Sequence, residues 1–283
     1  MREFIRSDLA CEREGGKGRR EYELAGCRVL EVEELRNGER VRYASVHVAP
    51  FAGMSDKERA HAVSAVAVLL GQVAARLAPD PSCVLIACLG NPRITPDSLG
   101  PCTARSLEVT RHVQLMDGAA FSRFGKGSLC AVTPGVLGDT GVESAELVRG
   151  VVREIGARLV VAVDALAASS LSHLGAVVQI CDHGMRPGSG LGNRRMALDR
   201  ESLGCPVISL GVPTVTDSAG MICEALRLAG ICGIGQELSG HLARARRYLV
   251  APSDIDELVA VGGEVLARAI GECFGAGSFD SLS

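Results

Sequence analysis

Two aspartates carry the first chemical reading of this chain. Asp164 follows Val160-Val161-Ala162-Val163, where a carboxylate is costly to desolvate unless it serves a purpose. The alternative is a helix N-cap for Ala165 onward, a position that suits Asp. Asp97 lies between Pro96 and Ser98, just ahead of Gly100-Pro101, and a cap or turn role is open there too. Brought together, two carboxylates cannot both ionise easily, so one retains a proton. That arrangement suits general acid and base attack of water on an amide. Asp182 is either a third acid or a turn residue before Gly184, and His183 beside it is a candidate metal partner. Arg194-Arg195 either holds an acidic substrate or is a solvated pair. Gly188-Ser189-Gly190-Leu191-Gly192 echoes a phosphate loop, but no helix start follows it. Its backbone would instead let an extended peptide approach closely. No G-x-S-x-G and no G-K-[ST] occurs. The 11 cysteines include no C-x-x-C. They read as small buried hydrophobes, with a zinc site or a catalytic thiol as the alternative.

These residues need a scaffold that brings their loops to one edge. Apolar runs at 84–87, 129–132, 159–163, 176–180 and 207–210 end at Gly90, Pro134-Gly135, Asp164, Asp182 and Gly211. Runs of this kind mark strands buried on both faces. Helical patterns lie at 101–113, 142–156 and 215–229, and a last helix fits 253–271. The alternation predicts an α/β domain with a mostly parallel twisted sheet flanked by helices. An N-terminal hairpin, 27–35 and 39–48, turns at Asn37-Gly38. A helix over 56–78 starts from a capping box, Ser55-x-x-Glu58. Ligands of parallel sheets bind at the carboxyl ends of the strands. Four polar loops, 90–97, 133–135, 164–166 and 182–190, are therefore expected to form one crevice.

The 283 residues are 47% hydrophobic and only 3% aromatic, with no Trp. Such a core packs Val, Leu, Ile and Ala, and offers no stacking platform for single-stranded nucleic acid. The net charge of -3 gives no sign of a polyanion partner. The apolar stretch 62–78 carries Ser64, Gln72 and Arg76 and reads as a buried helix, not a membrane span. The charged N-terminus lacks an apolar signal region, so a cytoplasmic protein is expected.

Combined, these loops resemble the germination proteases of spore-forming bacteria. The matching segments begin with Gly90-Asn91 and Thr95-Pro96-Asp97-Ser98-Leu99-Gly100-Pro101, then Thr110-Arg111-His112. Pro134-Gly135-Val136 with Gly138 and Thr140-Gly141 follows, then Val163-Asp164-Ala165-Leu166-Ala167-Ala168. Pro187-Gly188-Ser189-Gly190 with Gly192-Asn193 and Arg195 comes next, and last Gly211-Val212-Pro213-Thr214-Val215 with Asp217. The likeness runs from about Arg6 to Ile270. His183 stands where the family usually has Thr.

The resemblance implies an endopeptidase of the spore core that degrades small acid-soluble spore proteins at germination. It implies a zymogen, a homotetramer, and a fold similar to hydrogenase maturation proteases. The family's catalytic aspartates fall on Asp97 and Asp164. Substrate binding is expected at Gly90, Asn91, Asp182, Pro187, Gly188, Gly190, Arg194 and Arg195. No cofactor is expected, although a maturation-type protease would place a divalent metal at Asp97, Asp164 and His183. A non-enzymatic alternative is a module that binds acidic peptides. Family substrates read Ser or Thr, an acid, an apolar residue, Ala, a small residue and Glu. Ser7-Asp8-Leu9-Ala10-Cys11-Glu12 fits that pattern. It predicts self-processing between Asp8 and Leu9, with 1–8 as propeptide and 9–283 as one peptidase domain. The segment is expected to be mobile, because its polar surroundings show little apolar pattern.

Overall fold

In the computed structural model, residues 7–13, 17–36, 38–79, 82–123, 127–186, 196–231, 235–245 and 248–275 are described. The apolar runs become strands whose alternate residues enter different cores, as the period of two requires. In β4 (Val84–Cys88), Val84, Ile86 and Cys88 face one core, while Leu85 and Ala87 face the other. In β6 (Leu159–Ala167), Val161 and Val163 oppose Val160 and Ala162 in the same way. The first core is closed by α1 (Asp56–Leu77), α2 (Leu99–Ser106) and the C-terminal helix (Ile255–Phe274). The second is closed by Ser144–Ile155, through Ala145, Val148 and Val152. By length and composition α1 is apolar enough to cross a membrane, yet its Ala62, Val66, Leu69, Leu70 and Val73 lie in the first core. Its N-terminus carries the expected capping box of Ser55 and Glu58. The ten described cysteines are free, and most are buried.

The α/β layers and the N-terminal hairpin are as read from the sequence, but the sheet is mixed. Its order is β1-β2-β3-β7-β8-β6-β4-β5. Here β1 is Lys17–Leu24, β2 Cys27–Arg36, β3 Glu39–His47, β5 Leu129–Val132, β7 Val177–Cys181 and β8 Val207–Asp217. Parallel pairing is confined to β8, β6, β4 and β5. From β7 outward every pairing is antiparallel. The cause is the link 168–176. It holds one short helical turn, Leu171–His173, and is too short to carry the chain back along the sheet for a parallel crossover. β1 was not visible as a strand, because its sequence KGRREYEL has no apolar run. It survives as a charged edge.

Two strands outrun their expected ends. β6 continues through Asp164 to Ala167, paired with Gly211, Val212, Pro213 and Val215 of β8. β8 continues to Asp217, which then caps the helix Ser218–Leu228 by accepting from the Gly220 amide at 2.6 Å. The expected helix start near 215 is thus strand.

Candidate active site

Asp164 sits inside a strand, 6% exposed. The helix-cap alternative fails, because the backbone stays extended beyond it. Its carboxylate Oδ1 accepts from the Ala165 amide at 3.0 Å. Across the ladder its partner is Gly211. A Cβ there would come 2.7 Å from Leu166 Cγ and 2.8 Å from the Asp164 carbonyl oxygen, so only glycine fits beside the aspartate.

Asp97 arrives from the next parallel strand. After β4 the Leu89 amide donates to Val163 O at 2.8 Å, tying the loop to β6. The chain then turns at Gly90, with φ +116°. A side chain there would run into the Asp97 carbonyl oxygen. The Asn91 amide donates to Asp97 O at 2.9 Å and to the carboxylate Oδ2 at 3.0 Å. Thr214 of β8 donates to Pro96 O at 2.7 Å. Asp97 ends a short helical turn, Thr95–Asp97, and Ser98 rather than Asp97 occupies the cap position of α2. The two aspartates line one cavity of about 350 Å³, together with Gly90, Gly135, Thr214 and Asp8.

The other expected residues divide. Gly90 lines the cavity, and Asn91 holds Asp97 by its backbone while its side chain accepts from the Arg93 amide. Asp182 lies elsewhere. Because β7 runs antiparallel, its carboxyl end meets the amino end of β8, with Cys181 opposite Ser209. Asp182 instead exchanges hydrogen bonds with the Arg42 backbone, at 2.8 and 3.2 Å. His183 is half-buried, 3.6 Å from Glu39. Among the described residues no three His, Cys, Asp or Glu are grouped to hold a metal ion. Pro187, Gly188, Gly190, Arg194 and Arg195 lie outside the described residues. The described flank, Gly184 to Arg186, does return to Asp164. It lines a second cavity of about 100 Å³ with Asp8, Arg13, Tyr43, Gln179 and Ser209.

The largest departure is at the N-terminus. Residues 7–13 are docked, not loose. Asp8 donates its amide to Ala167 O and accepts the Ala167 amide on Oδ2, both at 2.9 Å. Gln179 grips the next residues with both ends of its amide. Its Nε2 donates to Asp8 O at 2.9 Å, and its Oε1 accepts from the Ala10 amide at 2.6 Å. Leu9, Ala10 and Cys11 are buried against Leu30, Val41, Tyr43, Leu166 and Val177. The polar surroundings of the segment hid its own apolar triplet. The Glu12 side chain is covered as well, and hydrogen bonds from Ser169, Ser170 and His173 fix its carboxylate. Burial alone would raise that carboxyl, but the His173 and Ser169 bonds more than offset it and hold its pKa below the usual 4.5. Gln179 had a sequence signal of the same kind as Asp164: a polar residue inside an apolar strand.

The fold and site together define an α/β protein in which two carboxylates line one cavity, one inside β6 and one in the loop after the adjacent parallel strand β4. Residues 7–13 of its own chain dock beside them, extended at Leu9 and turning through a short 3-10 helix at Ala10–Glu12. The germination protease model matches residues 51–270, and the chain belongs to the germination protease family. Over 191 residues it is 39% identical to the germination protease of Clostridium acetobutylicum, covering 67% of this chain and 57% of that protein. A Clostridium perfringens germination protease is 35% identical over 219 residues, covering 68% and 66%. That of Caldanaerobacter subterraneus is 44% identical over 155 residues, covering 54% and 48%. The matches therefore span between 48% and 66% of these relatives' length. Among solved structures, the [NiFe] hydrogenase maturation protease HycI from Thermococcus kodakarensis KOD1 aligns with a TM-score of 0.38 and 18% identity. That alignment covers 73% of this chain and 98% of that one.

Proposed function

We propose that this chain is an endopeptidase that cleaves small acid-soluble spore proteins in the spore core when a spore germinates. Asp97 and Asp164 are its working pair. The observation that carries the reading is their shared cavity, with Asp164 inside β6, Asp97 in the loop after β4 and Asp8 in its wall. One aspartate takes a proton from the attacking water, and the other donates a proton to the leaving amine. No resident metal or cofactor takes part. The working assembly is a homotetramer.

The docked segment supports a reading in which its own Asp8–Leu9 bond is the first one cut. The Asp8 carbonyl accepts from Gln179 Nε2 at 2.9 Å and from Arg13 Nη2 at 3.1 Å. Two donors on one carbonyl polarise it and stabilise the oxyanion that forms on attack. The chain is thus its own first substrate, processed between Asp8 and Leu9, after which residues 9–283 work on other proteins. Family membership, the shared cavity and the grip on Asp8 support this reading. Incubation with a spore-protein peptide, with and without a strong chelator, tests it. Cleavage at the same rate in both is expected. Cleavage lost to the chelator would favour a metal at the same acidic cavity, and no cleavage in either would favour a binding module.

A further inference from the structure

The pocket around Glu12 is built for a carboxylate. Ser169 donates its amide at 2.7 Å and its hydroxyl at 2.6 Å to Oε2. Ser170 donates its amide at 3.0 Å, and His173 Nδ1 donates at 2.6 Å, to Oε1. The Glu12 side chain is only 5% exposed. From behind, Glu224 of the helix Ser218–Leu228 holds the Ser170 hydroxyl and the Leu171 amide, so the 169–173 turn is fixed independently of Glu12. His47 packs edge-on against His173, with ring centres 5.5 Å apart. The segment leading into this pocket is held mostly by its main chain, through Ala167 and Gln179. Such bonds place little demand on sequence, and they hold a segment that is extended at Leu9 and turns through a short 3-10 helix at Ala10–Glu12. Leu9, Ala10 and Cys11 are held by apolar burial, and the pocket is the part that reads an acidic side chain beyond them.

We propose that Ser169, Ser170 and His173 form a specificity subsite for an acidic side chain four residues beyond the cleaved bond of a peptide arriving from another molecule. In the chain as it stands, Glu12 fills that subsite. Once residues 9–12 withdraw, the same four donors face an incoming glutamate. This inference rests on the peptidase reading for its reference bond, Asp8–Leu9. The subsite itself is a matter of binding and is measured without cleavage.

The probe is a pair of fluorescent peptides copying residues 4–15, one with Glu and one with Gln at the place of Glu12. They are titrated by anisotropy into full-length chain carrying Asp97→Asn, so that nothing is cut. Both compete with the same internal segment, so the ratio of their affinities is unaffected by that competition. The Glu peptide is expected to bind about tenfold tighter or better, the scale of charge-assisted hydrogen bonds. Adding His173→Ala should collapse the ratio while leaving the Gln peptide's affinity in place. Should that variant not fold, Ser169→Ala makes the same measurement. Adding Glu12→Gln should strengthen binding of both peptides, since the internal competitor is weakened. Equal binding of the two peptides overturns the subsite, as does failure of either to bind even with Glu12→Gln. Clear discrimination by a wild-type chain that cleaves neither peptide would leave the subsite and sink the peptidase reading instead.

Discussion

Gly90 and Gly211 show how narrowly the two aspartates are held. Both glycines leave room that a Cβ would fill, one against Asp97 and one against Asp164. Gly90 also adopts a φ of +116°, which other residues enter only with strain. Gly90→Ala is expected to cost about 1–3 kcal/mol of stability. It should lower cleavage by more than the loss of folded protein explains, because relief comes by moving the 91–97 loop. Parallel measurement of melting temperature and of kcat separates the two. Gln179→Leu should lower kcat by about 10²-fold, the usual loss of one oxyanion donor. The histidine beside the carboxylate pocket gives a pH signature. Burial, reinforced by the charges of Arg28 and His173, pushes the His47 pKa down from 6.5 to about 4. Between those values the unfolded chain binds more protons than the folded one, so stability falls as pH falls. Glu12, with its carboxyl held below 4.5, adds a loss in the same direction at lower pH. Melting temperature should therefore drop across pH 6.5 to 4, and His47→Asn should flatten that slope.

At the scale of elements, continuous apolar runs and capping residues were legible. Val84 to Cys88 could be nothing but a buried strand or a short buried helix, and the flanking Gly90 decided between them. The Ser55 and Glu58 pair marked the start of α1 to the residue. Where sequence signals misled, they were polar residues that a partner strand tolerates. Asp164 and Gly211 read as stops, yet β6 and β8 pair straight through them. Asp97 and Asp164 could be placed at one edge, because parallel strands send their ends the same way. Gln179 and the 169–173 turn could not be linked to the N-terminus, because their bonds to Asp8, Ala10 and Glu12 span more than 150 residues. The docked segment carries its own prediction. Burying Leu9 contributes about 1.5–3 kcal/mol, and each bond to an ionised Glu12 contributes about as much. The carboxylate therefore holds the segment at least as firmly as the leucine. Glu12→Gln should loosen it, seen as faster trypsin cleavage after Arg13 with the remaining fold intact. Processing between Asp8 and Leu9 is then read by N-terminal sequencing. A processed chain should begin at Leu9, and a fully active chain still beginning at Met1 would exclude self-processing.

For the whole molecule, the sheet divides the labour. Its parallel half carries the two aspartates, and its antiparallel half, through β7 and β3, provides the floor on which residues 9–11 lie. The cavity forms over β6 and β8, next to the boundary between the halves at β8 and β7. Cleavage by this molecule depends on the aspartate pair. The most direct test is a rate measurement on Asp97→Asn and Asp164→Asn with a spore-protein peptide, each checked for native circular dichroism and melting behaviour. Asparagine keeps the shape and an acceptor oxygen but cannot exchange the catalytic proton. Both variants are predicted to fold normally and to lose cleavage altogether. Cleavage near the wild-type rate by either variant would contradict the pair mechanism.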